Sequence, residues 1–238
     1  MKKAIVIGAS SGIGRELAIR LSKGGYFVGV TGRRVELLEE IKGMFPQQIL
    51  IKKMDVTNTE EAMKNLKNLI GDLGGLDLII INAGFGHINK ELNWESEKHT
   101  IEVNALGFTA MVNVAYRYFR KEKKGCIVGI SSIASIRGSS YAPAYSASKA
   151  FVSNYLEGIR GLSKKEKSHI KIIDVKPGFV DTAMAKGDKV FWVAPVEKAA
   201  KQILVAIEKG REKVIVTKRW VIISSLMKIL PEWIYAKL

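Results

Sequence analysis

Tyr145 and Lys149 stand four residues apart in Tyr145-Ser146-Ala147-Ser148-Lys149, where a helical pattern begins. On a helix this spacing puts both side chains on one face, a phenol beside an ammonium. A free tyrosine titrates near pH ~10 and is a poor proton donor or acceptor at neutral pH. A neighbouring cation favours the phenolate, and a downward shift of about three units corresponds to roughly 4 kcal/mol of differential stabilisation. Upstream, Ser131-Ser132 closes an apolar run, and Ser132 has a hydroxyl to offer a carbonyl oxygen. Taken alone, Tyr-x-x-x-Lys also reads as a surface tyrosine beside a lysine whose stem lies along apolar surface.

A second group of residues suits an anion. Gly8-Ala9-Ser10-Ser11-Gly12-Ile13-Gly14 follows an apolar run and opens a helical pattern, the context in which a glycine-rich turn cradles a pyrophosphate. Gly8 suits the tight turn, Gly12 lets a phosphate approach the backbone, and Gly14 permits close helix–strand packing. The helix start adds free N–H groups. A tight turn with no ligand is the other reading. After the next apolar run, the place where an acidic residue would hydrogen-bond an adenosine ribose holds Arg33 and Arg34 instead. Arginine pairs well with a 2′-phosphate, and Ser10 and Ser11 add hydroxyls, so the expected cofactor is NADP(H) in preference to NAD(H). The competing reading is a solvated helix start, which the helix dipole disfavours for arginine.

These groups need a frame that brings strand ends together. Apolar runs at Ala4–Ile7, Phe27–Thr31, Ile49–Met54, Leu76–Ile81, Cys126–Ser131, Ile170–Val175 and Lys213–Val216 alternate with helical patterns such as Ile13, Leu17, Leu21 and Val103, Leu106, Met111, Val114, Tyr118. Near-continuous Ile/Val strands are buried on both faces, and strand–helix alternation argues an α/β doubly wound, mostly parallel seven-stranded sheet with helices on both faces, in a single domain. Ligands of such sheets sit at the carboxyl ends of the strands, where Ser132 falls.

Taken together and in order, these motifs resemble the short-chain dehydrogenase/reductase family of the classical type, over at least residues 3–218. Beside the glycine motif, Asp55-Val56 is similar to the family's adenine-contacting pair, Asn82-Ala83-Gly84 to its Asn-Ala-Gly motif, and Asn104 to its mid-helix catalytic asparagine. Ser132, Tyr145 and Lys149 match its Ser…Tyr-x-x-x-Lys set, and Pro177-Gly178 with Thr182 its segment around the nicotinamide. The resemblance implies a Rossmann-type fold and a carbonyl–alcohol oxidoreductase. Tyr145 is then the general acid in reduction, Ser132 orients the carbonyl oxygen, and Lys149 binds the nicotinamide ribose and lowers the Tyr145 pKa. Asn104 holds a water in a relay to Lys149, while Thr182 and the backbone near Val180 hold the carboxamide. A 3-ketoacyl thioester reductase and a non-catalytic dinucleotide-binding regulator are the alternative functions. The family's habit of pairing subunits through two long helices, here near 96–121 and 144–163, implies a homodimer or homotetramer.

Composition sets the outer limits. Hydrophobic residues at 47% and charged residues at 26% of 238 exclude a disordered or fibrous chain. The run after Met1-Lys2-Lys3 stops at Gly8, short of the ~7–15 apolar residues of a signal peptide, so a cytoplasmic protein is expected. Cys126 is alone, and with His87, His99 and His169 gives too sparse a set for a zinc site. The net charge of +15 is spread along the chain; it suits an anionic cofactor, and nucleic-acid binding is not expected. Expected walls of an apolar substrate pocket are Phe85, His87, Ile133, Ala142, Phe179, Met184, Phe191 and Trp192, with 183–194 as a lid. His87 reads more readily as a surface-loop residue than as a substrate contact. The tail 219–238 is apolar, with Trp220 and Trp233 among Lys218, Arg219, Lys228 and Lys237. It reads as a cover over the cleft or a subunit interface, as an amphipathic helix on an anionic membrane surface, or as ordinary core.

Overall fold

The computed structural model describes residues 1–183 and 191–235. Met184 and most of the expected lid lie outside them. Seven strands, β1 (Lys3–Ile7), β2 (Phe27–Gly32), β3 (Ile49–Lys53), β4 (Leu78–Ile81), β5 (Lys124–Ile130), β6 (His169–Pro177) and β7 (Lys213–Val216), form one sheet in the order β3-β2-β1-β4-β5-β6-β7. Every neighbouring pair is parallel, so the sheet is wholly rather than mostly parallel. The expected fourth run loses its first two residues, and Asp77, just before β4, accepts the Lys3 amide on its carboxylate at 2.8 Å. Ser131 likewise lies one residue past β5.

Side chains alternate across each strand and feed two separate apolar layers. Ile5 and Ile7 of β1 join one core with Leu66, Phe108, Phe119, Val152 and Leu156. Ala4 and Val6 join the other with Leu17, Leu38, Ile41 and Ile203. Thus α3 (Thr59–Asp72), α5 (Phe108–Glu122) and α6 (Pro143–Lys165) cover one face, and α1 (Gly12–Lys23), α2 (Val35–Met44) and α7 (Val196–Glu208) the other. Fully burying an aliphatic side chain of this size stabilises the fold by roughly 1.5–3 kcal/mol.

The long helical pattern around Val103–Tyr118 is not one regular helix. It runs as α4 (Trp94–Ile101), a π-helical turn Glu102–Gly107 and α5. Gly107 explains why the chain can come so close there: a methyl on it would lie 2.7 Å from the Val56 carbonyl oxygen. After β7 the chain adds α8 (Arg219–Ile229) and the short α9 (Glu232–Tyr235). Among the described residues no helix is long and apolar enough to cross a membrane.

Candidate active site

Strand order reverses direction between β1 and β4, and the crevice outside their carboxyl ends is where such sheets take ligands. The Asn82 side chain closes it, donating to the Gly8 carbonyl at 2.8 Å, while the amides of Asn82 and Ala83 both reach Ile7 O, at 2.9 and 2.8 Å. Gly8 has φ +84 and Gly12 φ +56, left-handed conformations that glycine adopts without strain. A methyl at Gly14 would stand 2.5 Å from Asn82 Nδ2, so close helix–strand packing is indeed what this glycine permits. Ile13 is half-buried on the α1 core.

The start of α1 is built for an anion. Ser11, its N-cap, makes no capping hydrogen bond, and the first turn holds no acidic residue, which leaves the first N–H groups for a ligand. Thr182 lies across from it, its Cγ2 3.0 Å from where a Gly12 methyl would be. Arg34 caps α2, yet its guanidinium turns back and donates to Ser10 Oγ and Ser11 Oγ, each at 2.9 Å. Arg33 is exposed and stands 4.0 Å from Asp55. Burial pushes the Asp55 carboxyl up, but hydrogen bonds from the Thr57 amide and hydroxyl and the charge of Arg33 bring it below its ordinary value. The Val56 side chain is core. These residues fit a dinucleotide phosphate.

The second half of the site lies at the ends of β4, β5 and β6. Ser132, just past β5, uses its Oγ to accept the Ala134 amide at 3.1 Å and is hydrogen-bonded to the Tyr145 hydroxyl. Lys149, 5% exposed, donates from Nζ to Ile130 O at 3.0 Å and lies 5.8 Å from the centre of the Tyr145 ring. A methyl on Gly84 would be 3.2 Å from that Nζ. Ser132, Tyr145, Lys149 and Gly84 are therefore brought together as their motifs imply.

In the protein alone, burial governs the titration of this pair. Burial pushes the Tyr145 phenol above its ordinary value, and the Ser132 hydrogen bond only partly offsets this. Burial likewise pushes Lys149 down to about 8, against the pull of Asp174. Lys149 is turned to the Ile130 carbonyl.

Asn104, in the π-helical turn, accepts from the Phe85 amide at 2.8 Å and donates to Phe85 O at 2.7 Å and Ser148 Oγ at 2.9 Å. Ser148 in turn donates to the Tyr145 carbonyl at 2.8 Å. The Asn104 side chain is thus a brace between the Phe85 loop and the Tyr145 turn, its amide hydrogens already engaged in protein contacts. The ring of Tyr145 rests on Gly86, where a methyl would stand 2.7 Å from Cε2. Sequence reading passed over Gly86 and Ser148, although both lie inside or beside motifs it had singled out.

It also missed Asp174 and Lys176, the two charged residues of β6 that are not on its exposed positions. Asp174, 1% exposed, accepts from Ser131 Oγ at 2.5 Å and pairs with Lys176 at 2.7 Å. Lys176 donates further to Ser135 at 2.9 Å and to Ser153. The network fixes the strand ends that carry Ser132.

At the end of β6, Pro177 completes the pairing with β7, and Gly178 just beyond it lies directly against the Trp220 indole. Val180 is buried and bridged to Ala194. Trp220 has Phe179, Phe191 and Trp192 around it at ring-centre distances of 5.3, 5.2 and 6.3 Å. Trp220, from the tail, thereby belongs to an aromatic cluster with the segment after β6. His87 is exposed, hydrogen-bonded to Ser96 and edge-on to Phe85; Ile133 is buried and Ala142 caps α6.

Known proteins share this sequence and frame. A sequence model of the family described as "short chain dehydrogenase" matches residues 2–191. A protein of Myxococcus xanthus named an uncharacterized oxidoreductase is 34% identical over 191 residues, 77% of this chain and 74% of that one. A short-chain dehydrogenase of Burkholderia cenocepacia, solved in complex with NADP, superposes with a TM-score of 0.85 at 24% identity, covering 100% of this chain and 99% of that one. ElxO, solved with NADP bound, gives a TM-score of 0.79 at 25% identity, covering 90% and 96%. With a family model matched over residues 2–191 and a relative 34% identical over 77% of its length, the chain belongs to the short-chain dehydrogenase family of oxidoreductases.

Proposed function

We propose that the protein is an NADP(H)-dependent oxidoreductase that interconverts a ketone or aldehyde and its alcohol, with Tyr145 as general acid in reduction and general base in oxidation. The observation that carries the reading is the meeting of the Tyr145 and Ser132 hydroxyls over buried Lys149 at the mouth of the β1–β4 crevice. Two adjoining hydroxyls are what a carbonyl oxygen gathering negative charge needs, and fixed donors there cost no reorganisation. Bound NADPH supplies the hydride. Burial keeps Tyr145 protonated at neutral pH, so its proton is at hand for the nascent alkoxide. Lys149 returns positive charge beneath the phenolate that is left, and Asn104 and Ser148 hold the turn that carries Tyr145.

The choice of NADP(H) rests on Arg34, whose guanidinium gathers Ser10 and Ser11 into a patch of donors with exposed Arg33 beside it. Two solved relatives have NADP bound. The aromatic wall of Phe179, Phe191, Trp192 and Trp220 suits an apolar substrate. Consumption of NADPH over a panel of acetoacetyl thioesters, aromatic ketones, steroids and sugars tests the reading. Steady turnover of at least one carbonyl, faster than with NADH, is expected. Tight NADPH binding without turnover of any carbonyl would reassign the protein as a dinucleotide-binding regulator.

A further inference from the structure

The C-terminal helices are apolar on the side that faces away from the protein. Toward the body, α8 buries Trp220 and a serine, Ser224. Outward it presents Ile222 at 71% exposure, Leu226 at 47% and Ile229 at 78%, and α9 continues with Trp233 at 66%. Intervals of four and three residues set Ile222, Leu226 and Ile229 on one stripe of α8; the chain is extended at Leu230, and Trp233 follows on α9. A helix that buries a serine while leaving two isoleucines in water inverts the usual order of burial, so the stripe is a surface waiting for cover.

Beside it lies a cleft of about 460 Å³ between α7 and β7. Lys198, Lys201, Lys209, Arg211 and Lys218 line it with no carboxylate among the lining residues. Among the described residues none of the five has an ion-pair partner within 4.0 Å. Glu212, next to Arg211, is turned instead to Lys164 at 2.7 Å and Arg160 at 3.6 Å. Lys218 belongs to both features, since it lines the cleft and caps α8. The far end of α8 is fixed too: Arg137 donates to Leu230 O at 3.0 Å and its guanidinium sits 4.8 Å from the Tyr235 ring centre.

We propose that the stripe of α8 and α9 and the basic cleft beside it form one docking surface for an anionic lipid membrane. Charge selects this occupant over a second copy of the chain, because two such faces, each on a molecule of net charge +15, would set cation against cation. Over 218–235 the cations Lys218, Arg219 and Lys228 face a single carboxylate, Glu232. An apolar anchor alone holds a protein to a bilayer only marginally, whereas an anchor joined to a polybasic patch holds it firmly. The exposed tryptophan at the end of the stripe is the side chain that favours the headgroup boundary. This surface is independent of the catalytic reading.

The test is co-sedimentation of the full chain with vesicles of phosphatidylcholine alone and of an equimolar phosphatidylcholine–phosphatidylglycerol mixture. Binding to the mixed vesicles, weakened by salt, with little binding to phosphatidylcholine, is expected. Lys198→Ala/Lys201→Ala should weaken it about fivefold per cation removed, and Ile222→Ser/Ile229→Ser at least tenfold. Far-UV circular dichroism, the melting temperature and NADPH affinity report that both variants remain folded. Failure to bind the mixed vesicles overturns the proposal. So does binding that Ile222→Ser/Ile229→Ser leaves intact and that inorganic polyphosphate abolishes, which means an adsorbed polyanion site. A lipid-free dimer dispersed by the isoleucine variant means that a second copy is the occupant, and overturns it as well.

Discussion

Replacing Gly86 with alanine separates the position of Tyr145 from its chemistry. The new methyl would stand 2.7 Å from Cε2 and 2.8 Å from Cγ of the Tyr145 ring, and closer still to Cδ2, where ordinary contact begins at 3.4 Å. The ring or the loop that carries Gly86 must therefore yield by roughly 1 Å, a misplacement of the kind that costs about 10²-fold in rate. Overpacking of this kind destabilises a fold by about 1–3 kcal/mol, so Gly86→Ala remains folded at room temperature. The assay is kcat from NADPH consumption, with the unfolding midpoint and the NADPH Kd measured on the same preparation. Expected are a kcat lower by about two orders of magnitude, a modestly lower midpoint and a Kd within a few-fold of the parent. An unchanged kcat would refute the reasoning, since it would mean that turnover does not depend on where the phenol rests.

Three further outcomes follow from the geometry. Arg34→Ala removes the guanidinium that gathers Ser10 and Ser11; a charge-assisted bond of roughly 1.5–3 kcal/mol makes NADPH binding weaker by about tenfold or more while NADH binding is unaltered, measured by fluorescence titration. Asp174→Asn leaves Lys176 with no carboxylate in a buried network, and breaking such a pair from one side costs about 3–5 kcal/mol; urea unfolding should show that loss and its partial recovery when Lys176→Met is added. Lys149 titrates at about 8 in the fold against an ordinary value of 10.5, so the unfolded chain holds more protons between these values and stability rises with pH there. Burial of the charged form costs stability in full below pH about 8, and Lys149→Met should flatten the rise in urea midpoints across that window.

Features that depend on neighbouring residues were legible in the sequence. The Ile/Val runs announce strands buried on both faces, the glycines of 8–14 mark a strand–turn–helix junction, and the spacing of Tyr145 and Lys149 fixes their shared helix face. Features set by tertiary approach were not. A π-helical turn at Asn104 leaves the pattern of apolar residues almost unchanged, because the extra residue is absorbed locally. Gly86 becomes meaningful only once α6 lays a phenol on it. Asp174 and Lys176 are visible as charges within β6, yet their partners Ser131, Ser135 and Ser153 come from other segments. Spacing reveals the cation beside Tyr145, whereas the burial that pushes its phenol up is a property of the packed molecule. The apolar tail was visible by composition, and its division into a face against Gly178 and a face toward water came from packing alone.

The proposed chemistry rests on the phenol of Tyr145, and Tyr145→Phe tests it most directly because the ring stays while the hydroxyl goes. With NADPH and any carbonyl that the parent reduces, loss of a positioned acid predicts a kcat lower by about 10²–10⁴-fold with NADPH affinity preserved. Retention of most of the parent kcat in that variant would contradict the account.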